Sequence, residues 1–279
     1  MPTLLGSTPV VILAGGLGTR LRMVLPNQPK GLAPIGDQSF LEIQIQLLRD
    51  QGARHFVLCV GYQADQIQAA LGTGQAWDIR IDYSVEGDKL LGTAGALKRA
   101  ERFFQPRALV LNGDTFFAVD YGQFLQHHLE EQARSGALAT LALAQARDQG
   151  RYGNVVLDSS QRYLAQFREK DASRTTGWLS AGAYVLEKDL LQFVPPDQPC
   201  SLEQEVLPAV LQAGRKVAAW TADRFFFDIG TPDGLRTFTQ YYGEWRHGCR
   251  SHIDRGTHPG EHRRQAADGP GAGGPHRAD

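Results

Sequence analysis

Two hydrophobic periods alternate along the first half of the chain, and this alternation leaves few folds open. Short apolar runs with strand character give way, again and again, to segments with apolar residues at helical spacing. Residues 10–13, 55–60, 79–85, 108–111 and 137–144 read as strands, and 39–52, 64–71, 93–104 and 121–134 read as helices. The first of these helices carries a capping box, with Ser39 at N-cap and Glu42 at N3, and Gly52 ends it. Ile79, Ile81, Tyr83 and Val85 alternate as a half-buried strand should. Repeated units of this kind predict an α/β fold, a Rossmann-like mixed and mostly parallel sheet with helices on both faces. Ligands of such sheets sit at the carboxyl ends of the strands.

The second half is richer in strands. Residues 154–157 and 163–168 flank the turn DSSQ as a hairpin, and 178–186 is a further strand. A helix over 201–213 has Ser201 and Gln204 as its capping box. Strands follow at 217–221 and 225–229, and then a helix with Thr231 at N-cap and Pro232 at N1. No internal repeat is visible. Beyond residue 245 Gly, Pro, His and Arg dominate and apolar residues almost vanish, so 246–279 is expected to be a disordered tail. Its His and Cys residues fall at no metal-ligand spacing. One domain is expected over 1–245, in two parts at about 9–145 and about 146–245.

A net charge of −1 supplies no broad basic field for nucleic acid or an anionic membrane, so any anionic ligand must be held by local groups. No apolar run approaches the roughly 20 residues that cross a bilayer. The N-terminus lacks a basic region and a cleavage site. Cys59, Cys200 and Cys249 suit neither a disulfide framework nor a thiolate zinc site, so a reducing cytoplasm is expected.

Strand 10–13 runs straight into a turn with Gly15, Gly16 and Gly18. Glycines let backbone N–H groups approach an anion, and a following helix could add its positive end. The phosphate loop of nucleotide hydrolases needs Lys-Ser/Thr where Thr19-Arg20 stands, and the dinucleotide fingerprint needs glycine where Leu21 stands. Neither motif fits. Arg20 has a planar fork suited to a polyphosphate. Lys30, preset by Pro29, is a point charge suited to one phosphate. Asp114 and Asp228 each close an apolar strand at a glycine-bearing turn, where carboxylates would bind a divalent cation, Mg²⁺, beside a triphosphate. No Ser/His/Asp or Cys/His set is present, and the adjacent His127 and His128 are expected on an exposed helix face.

LAGGLGTRLR followed by PKGLAPIG resembles the signature of the sugar-1-phosphate nucleotidyltransferases, and the resemblance extends over roughly residues 9 to 245. It implies the nucleotide-diphospho-sugar transferase fold and an enzyme that joins a nucleoside triphosphate to a sugar 1-phosphate with release of pyrophosphate. The resemblance places the nucleotide against Leu13, Ala14, Gly15, Gly16, Gly18, Thr19, Asn112 and Gly113. It gives Arg20 and Lys30 the departing pyrophosphate and the attacked phosphate, and it gives Asp114 and Asp228 the metal. SVEGDKLLGTAGALKRA resembles the nucleobase segment, so Glu86, Leu91, Gly92 and Thr93 would hold base and ribose, and a Glu near the base could accept from the N1–H and N2–H₂ edge of guanine, which favours GTP. RYGNVVLD, LAQFREK and SAG resemble the sugar motifs and imply sugar-phosphate contacts from Gly153, Glu169, Lys170, Ser180 and Gly182. Ser180 stands where the family often has Asn. Within the family, NGDTFF, RYGNV and FFFDIGTPDG are most similar to the subfamily that guanylylates D-glycero-α-D-manno-heptose 1-phosphate for surface polysaccharides. Uridylyl- and thymidylyltransferases and mannose-1-phosphate guanylyltransferases are further members. GTP and a sugar 1-phosphate are thus the expected partners, with room for a homo-oligomer.

Overall fold

The computed structural model describes residues 3–87, 89–146, 154–168 and 177–248. After a short helix α1 (Leu4–Ser7), strand β1 (Val10–Leu13) enters the glycine-rich turn. A small ribbon, β2 (Pro34–Ile35) and β3 (Gln38–Ser39), leads into α2 (Phe40–Asp50). Both halves of the expected capping box form: Ser39 Oγ accepts from the Glu42 N–H, and a Glu42 oxygen accepts from the Ser39 N–H. Strand β4 (His55–Val60), helix α3 (Ala64–Leu71), strand β5 (Arg80–Val85), helix α4 (Gly92–Arg99) and strand β6 (Arg107–Asn112) complete a run of strand–helix units. Then come β7 (Thr115–Phe117), α5 (Tyr121–Ser135), β8 (Ala139–Ala146), β9 (Asn154–Leu157), β10 (Leu164–Arg168) and β11 (Gly177–Glu187). The chain continues through α6 (Leu207–Gln212), β12 (Val217–Ala222), β13 (Phe226–Asp228) and α7 (Pro232–Gly248).

Nine strands form one mixed sheet. Its main path is β10-β9-β11-β6-β1-β4-β5, and β8 and β12 branch from β11. Strands β6, β1, β4 and β5 are parallel, and β11 joins β6 antiparallel. Alternate residues of β1 face opposite cores. Val10 and Ile12 pack with α2, α3 and α5, whereas Val11 packs with α4 and α6. Helices therefore cover both faces, as the continuous apolar run VVIL requires of a central parallel strand. A third, aromatic core joins β7 and β13 to α7, with Phe116, Phe227 and Phe238 in ring contact. Thr231 caps α7 by accepting from the Gly234 N–H, and Pro232 begins it.

Several expectations are corrected. No α-helix follows the glycine turn; residues Thr19–Leu21 make a single 3₁₀ turn, and Leu21 is anchored in the core. The turn therefore lacks a helix dipole and must rely on its N–H groups and nearby cations. The segment read as one helix over 93–104 stops at Arg99, and the 3₁₀ turn Glu101–Phe103 then delivers Phe104 into the core. Alternation in β5 fails at its open carboxyl end, where Ser84 is buried and Val85 exposed.

His127 and His128 are not on an exposed face. His128 is fully buried between Thr140 Oγ1 (2.8 Å) and Glu187 Oε1 (3.0 Å), and Arg107 holds the same carboxylate at 2.7 Å. Tyr121, Phe124, Leu125 and His128 form one helical stripe, so the residue periodicity itself placed His128 inside. His127 reaches the Ala219 carbonyl at 3.1 Å. The helix expected over 201–213 opens with a π-helical turn, Leu202–Val206, before α6. Ser201 Oγ accepts from the Gln204 N–H as expected, but the Ser201 N–H donates to Glu205 Oε1 at 2.7 Å. A π turn holds one more residue than an α turn, which moves the reach-back one position on. Helix α7 runs three residues past the expected boundary, and the rest of the tail lies outside the described residues.

Candidate active site

The carboxyl ends of β1, β4 and β6, with the loop after β5, surround a pocket of about 250 Å³. Its walls carry Leu13 from β1, Gly15 and Gly16 from the glycine turn, Glu86, Gly92 and Thr93 from the loop after β5 and the start of α4, and Lys30, Asn112 and Asp114. Cys59, Leu90 and Ala96 also line it, and the sequence did not single them out. Cys59 ends a central strand one residue before the edge, a position that marks it as a pocket residue once strand order is known. Burial pushes its thiol up to about 12, with Glu86 adding to the effect, so it acts as a neutral apolar wall.

In this pocket the glycine turn lies over Lys30. A methyl group on Gly16 would be 3.5 Å from Lys30 Nζ, and one on Gly18 would be 3.4 Å from Lys30 Cβ. Lys30 Nζ donates to Asp114 Oδ2 at 2.5 Å, and both side chains are mostly buried. Asp114 sits in the tight turn from β6 to β7. Gln44, buried on α2, staples that turn by donating to the carbonyls of Asn112 and Thr115 at 3.0 Å each. The Gly113 N–H donates to the Leu13 carbonyl, tying this turn to the glycine turn. Gln44 is thus a positioning residue hidden inside an ordinary helical stripe.

Pairing of β13 with β7 sets Asp228 opposite Thr115, and the Ile229 N–H donates to the Asp114 carbonyl at 2.9 Å. The two carboxylates converge. A single point beside the Gly230 Cα lies 2.8 Å from Asp228 Oδ1, 3.3 Å from Asp114 Oδ2 and 2.8 Å from an Arg20 Nη. Arg20, largely exposed, has its other Nη 4.0 Å from Asp228. The Gly230 N–H donates to Asp228 Oδ1 at 2.7 Å. Burial holds the Asp228 carboxyl above its usual range and Asp114 pushes it further, while the Gly230 N–H, Arg20 and Lys30 oppose the shift. Two facing, partly desolvated carboxylates beside a phosphate-sized turn fit a divalent cation that completes its shell with substrate oxygens. Among the described residues no group of three or more His, Cys, Asp or Glu could hold a metal by protein ligands alone.

Another part of the pocket is built around Glu86. Its side chain is buried, its Oε2 accepts from the Leu91 N–H at 2.6 Å, and its Oε1 lies beside Gly15. Burial raises its carboxyl, opposed by the Leu91 N–H and by Arg99. Gly92 has φ +70°, and a methyl group there would approach the Cys200 carbonyl to 2.7 Å. The Cys200 carbonyl accepts from Ala94 N–H at 2.9 Å, and Thr93 Oγ1 accepts from Leu202 N–H at 2.8 Å. Segment 198–202 therefore covers the start of α4, and its N–H groups are largely spoken for. Leu91 itself is buried, and Ala14 lies beneath the turn with only 5% of its surface exposed.

A nucleotidyl transferase profile matches residues 9–244. The chain belongs to the nucleotidyl transferase family. It is 35% identical over 228 residues to D-glycero-alpha-D-manno-heptose 1-phosphate guanylyltransferase of Campylobacter jejuni, with 82% of this chain and 97% of that protein covered. It is 34% identical to the protein of the same name from Aneurinibacillus thermoaerophilus, covering 81% and 94%. It is 32% identical to mannose-1-phosphate guanylyltransferase of Mycobacterium tuberculosis, covering 80% of this chain and 61% of that one. The crystal structure of HddC from Yersinia pseudotuberculosis superposes with a TM-score of 0.73 at 30% identity, covering 84% of this chain and 99% of HddC, and HddC has also been crystallised with GMP-PN.

In this nucleotidyltransferase the fold brings Arg20, Lys30, Asp114 and Asp228 to one edge, with Gly15, Gly16 and Gly18 above them. Thr19 begins the 3₁₀ turn that carries Arg20. Ser180 and Gly182 lie on β11 at an irregularity in its pairing with β8. Gly182, at φ +68°, presses against Thr115 and Asn112, where a methyl group would come within 2.5 Å of Thr115 Oγ1. Gly153, Glu169 and Lys170 lie outside the described residues. No helix among the described residues is long and apolar enough to cross a membrane.

Proposed function

We propose that this chain transfers GMP from GTP to D-glycero-α-D-manno-heptose 1-phosphate, giving GDP-heptose and pyrophosphate in the cytoplasm. The carrying observation is one pocket lined both by Glu86 and by the Lys30–Asp114 pair. A buried carboxylate matches the two donors on the guanine edge, N1–H and N2–H₂, and rejects bases that present acceptors there. Two relatives that the chain spans almost end to end are named as heptose 1-phosphate guanylyltransferases.

The reaction is an in-line displacement. A phosphate oxygen of the sugar 1-phosphate bonds to the α-phosphorus of GTP, and the bond from that phosphorus to the oxygen bridging to the β-phosphorus breaks. Pyrophosphate leaves with the electron pair. The work of the site is positioning and charge neutralisation, so no side-chain nucleophile is needed. Gly15, Gly16, Gly18 and Thr19 would wrap the triphosphate with N–H groups. Lys30, under the turn, would meet the α-phosphate, and Arg20, on the solvent side, would steady the departing pyrophosphate. Asp114 and Asp228 would hold Mg²⁺. When bound there, Mg²⁺ would supply charge neutralisation for the triphosphate and the attacking sugar phosphate. Leu13, Asn112, Gly113 and the Leu91–Thr93 segment would shape the nucleoside site. Ser180 and Gly182 would face the sugar, together with Gly153, Glu169 and Lys170.

The test is a matrix of GTP, ATP, UTP, CTP and dTTP against heptose, mannose, glucose and N-acetylglucosamine 1-phosphates, read as pyrophosphate release. Turnover greatest with GTP and the heptose supports the reading. Preference for mannose 1-phosphate would move the protein to the neighbouring subfamily, and preference for UTP would refute the role of Glu86.

A further inference from the structure

Behind the pocket lies a hydrogen-bonded hub that the reaction as described does not use. Tyr184, on β11, is almost fully buried, at 2% exposure. Its hydroxyl donates to Glu203 Oε1 at 2.7 Å, and Ser180 Oγ donates to it at 3.2 Å. Ser180 Oγ in turn accepts from the Gly182 N–H at 3.4 Å. The hub therefore runs from Glu203 through Tyr184 to the irregular stretch of β11 at Ser180 and Gly182.

Hydrogen-bond polarity follows from counting. A tyrosine hydroxyl has one proton and two acceptor sites. A carboxylate can only accept, so Tyr184 must spend its proton on Glu203. Ser180 must then donate its hydroxyl proton. Burial and the Glu203 charge hold the Tyr184 hydroxyl well above its usual range, so it remains a protonated donor. With its proton committed and one acceptor site taken by the Gly182 N–H, Ser180 Oγ keeps one site, which can only accept from a ligand. Glu203 is delivered by the π turn Leu202–Val206, whose first N–H donates to the pocket residue Thr93. π turns cluster at functional sites because the extra residue re-aims side chains.

We propose that Glu203, acting through Tyr184, is a positioning and specificity residue that polarises Ser180 so that it offers a hydrogen-bond acceptor to a hydroxyl group of the sugar 1-phosphate. The proposal rests on the sugar-nucleotidyltransferase reading and deepens its sugar side. It also explains how Ser can stand at position 180, where the family often has Asn: a serine locked as an acceptor reads a hydroxyl donor unambiguously.

The experiment measures KM for GTP and for heptose 1-phosphate separately in Glu203→Met, Glu203→Gln and Tyr184→Phe, with thermal melting as a check on folding. The methionine thioether is only a weak acceptor, so the tyrosine proton turns to Ser180 and reverses the polarity. The expected result is a rise of about fivefold or more in sugar KM for Glu203→Met, with GTP KM within about twofold of wild type. Glutamine keeps an acceptor oxygen, so Glu203→Gln should restore the sugar KM. Tyr184→Phe should match Glu203→Met. A series of monodeoxyfluoro sugar 1-phosphates, whose fluorine accepts but cannot donate, adds a direct reading of polarity. Wild type should discriminate against at least one of them, and Glu203→Met should lose that discrimination. An unchanged sugar KM in Glu203→Met, an equal rise in both KM values, or equal discrimination in both proteins would overturn the proposal while leaving the enzyme assignment intact. Failure of wild type to release pyrophosphate with any sugar 1-phosphate would overturn both.

Discussion

Lys30 Nζ rests 2.5 Å from Asp114 Oδ2, although 84 residues separate them in the chain. The ammonium is held at the edge where the phosphates would lie, by a carboxylate expected to bind the metal. If Lys30 meets the α-phosphate mainly as charge builds in the transition state, Lys30→Ala should lower kcat by about 100-fold or more and move the KM for GTP by less than about threefold. Steady-state kinetics decide this, and a parallel loss in both constants would assign Lys30 to ground-state binding.

Asp228 is strained electrostatically by burial and by the facing Asp114. Because its folded-state value is raised above 3.8, the native state binds the proton more tightly than the unfolded state. Metal-free protein should therefore lose stability as pH rises from 3.8 through the raised value. Asp228→Asn removes that loss while keeping an acceptor for the Gly230 N–H. It should raise the melting temperature at pH 7 without divalent cations by about 2–4 °C, and it should abolish cation-dependent turnover. A lower melting temperature would contradict the like-charge account.

Glu86→Gln keeps the acceptor for the Leu91 N–H but turns an amide N–H₂ toward the base. Two donors then face guanine's N1–H or N2–H₂. The kcat/KM for GTP should fall by about 10–100-fold, with the KM for the sugar 1-phosphate little changed. A variant as selective for GTP as wild type would place base recognition elsewhere.

Gly92 combines positive φ with the Cys200 carbonyl at its Cα. Gly92→Ala meets backbone on one side and a disfavoured conformation on the other, so it should cost about 1–3 kcal/mol of stability. Denaturant unfolding measures this. An unaffected midpoint would show that segment 198–200 gives way.

The buried carboxylate of Glu187 is desolvated, yet hydrogen bonds and charge from His128 and Arg107 hold it below 4.5. The lowered value is the reverse of the Asp228 case. Its contribution is present above pH 4.5 and is lost as pH falls through the folded-state value. Glu187→Gln should destabilise the protein at pH 7 by about 1–3 kcal/mol, with the difference from wild type shrinking toward acid. Melting curves across pH 3 to 7 follow the difference directly. A constant difference would show that packing, and not charge, sets the effect.

Local signals carried far in this chain. The capping box at Ser39 and Glu42 forms as read, and so does the Thr231–Pro232 start of α7. Strands β1, β4 and β6 fall where apolar runs of four to six residues lie between helical periods, because a strand covered on both faces needs such a run, and β5, at the end of the sheet path, falls where apolar residues alternate. The misread places share one physical cause. At His128 a polar residue was judged by its type, while its position on the stripe of α5 decided its burial. At Ser201 the cap was read with α spacing, while packing against Thr93 and Tyr184 accompanies a π turn. Gln44 looked like one more residue on an amphipathic helix, and only the β6–β7 turn above it shows what its amide does.

By itself the sequence determined the strand–helix alternation, the glycine turn, its two cations and the pair of strand-end aspartates, because periodicity, turn chemistry and residue type are local properties. Convergence was decided by tertiary structure. Asp228 faces Asp114 because β13 pairs with β7, and Lys30 meets Asp114 because the glycine turn folds across the end of β1 next to β6. Tyr184 meets Glu203 because a π turn packs beside α4. Strand order and pairing register bring groups scores to more than a hundred residues apart within a few ångströms, and no window of the chain encodes that distance.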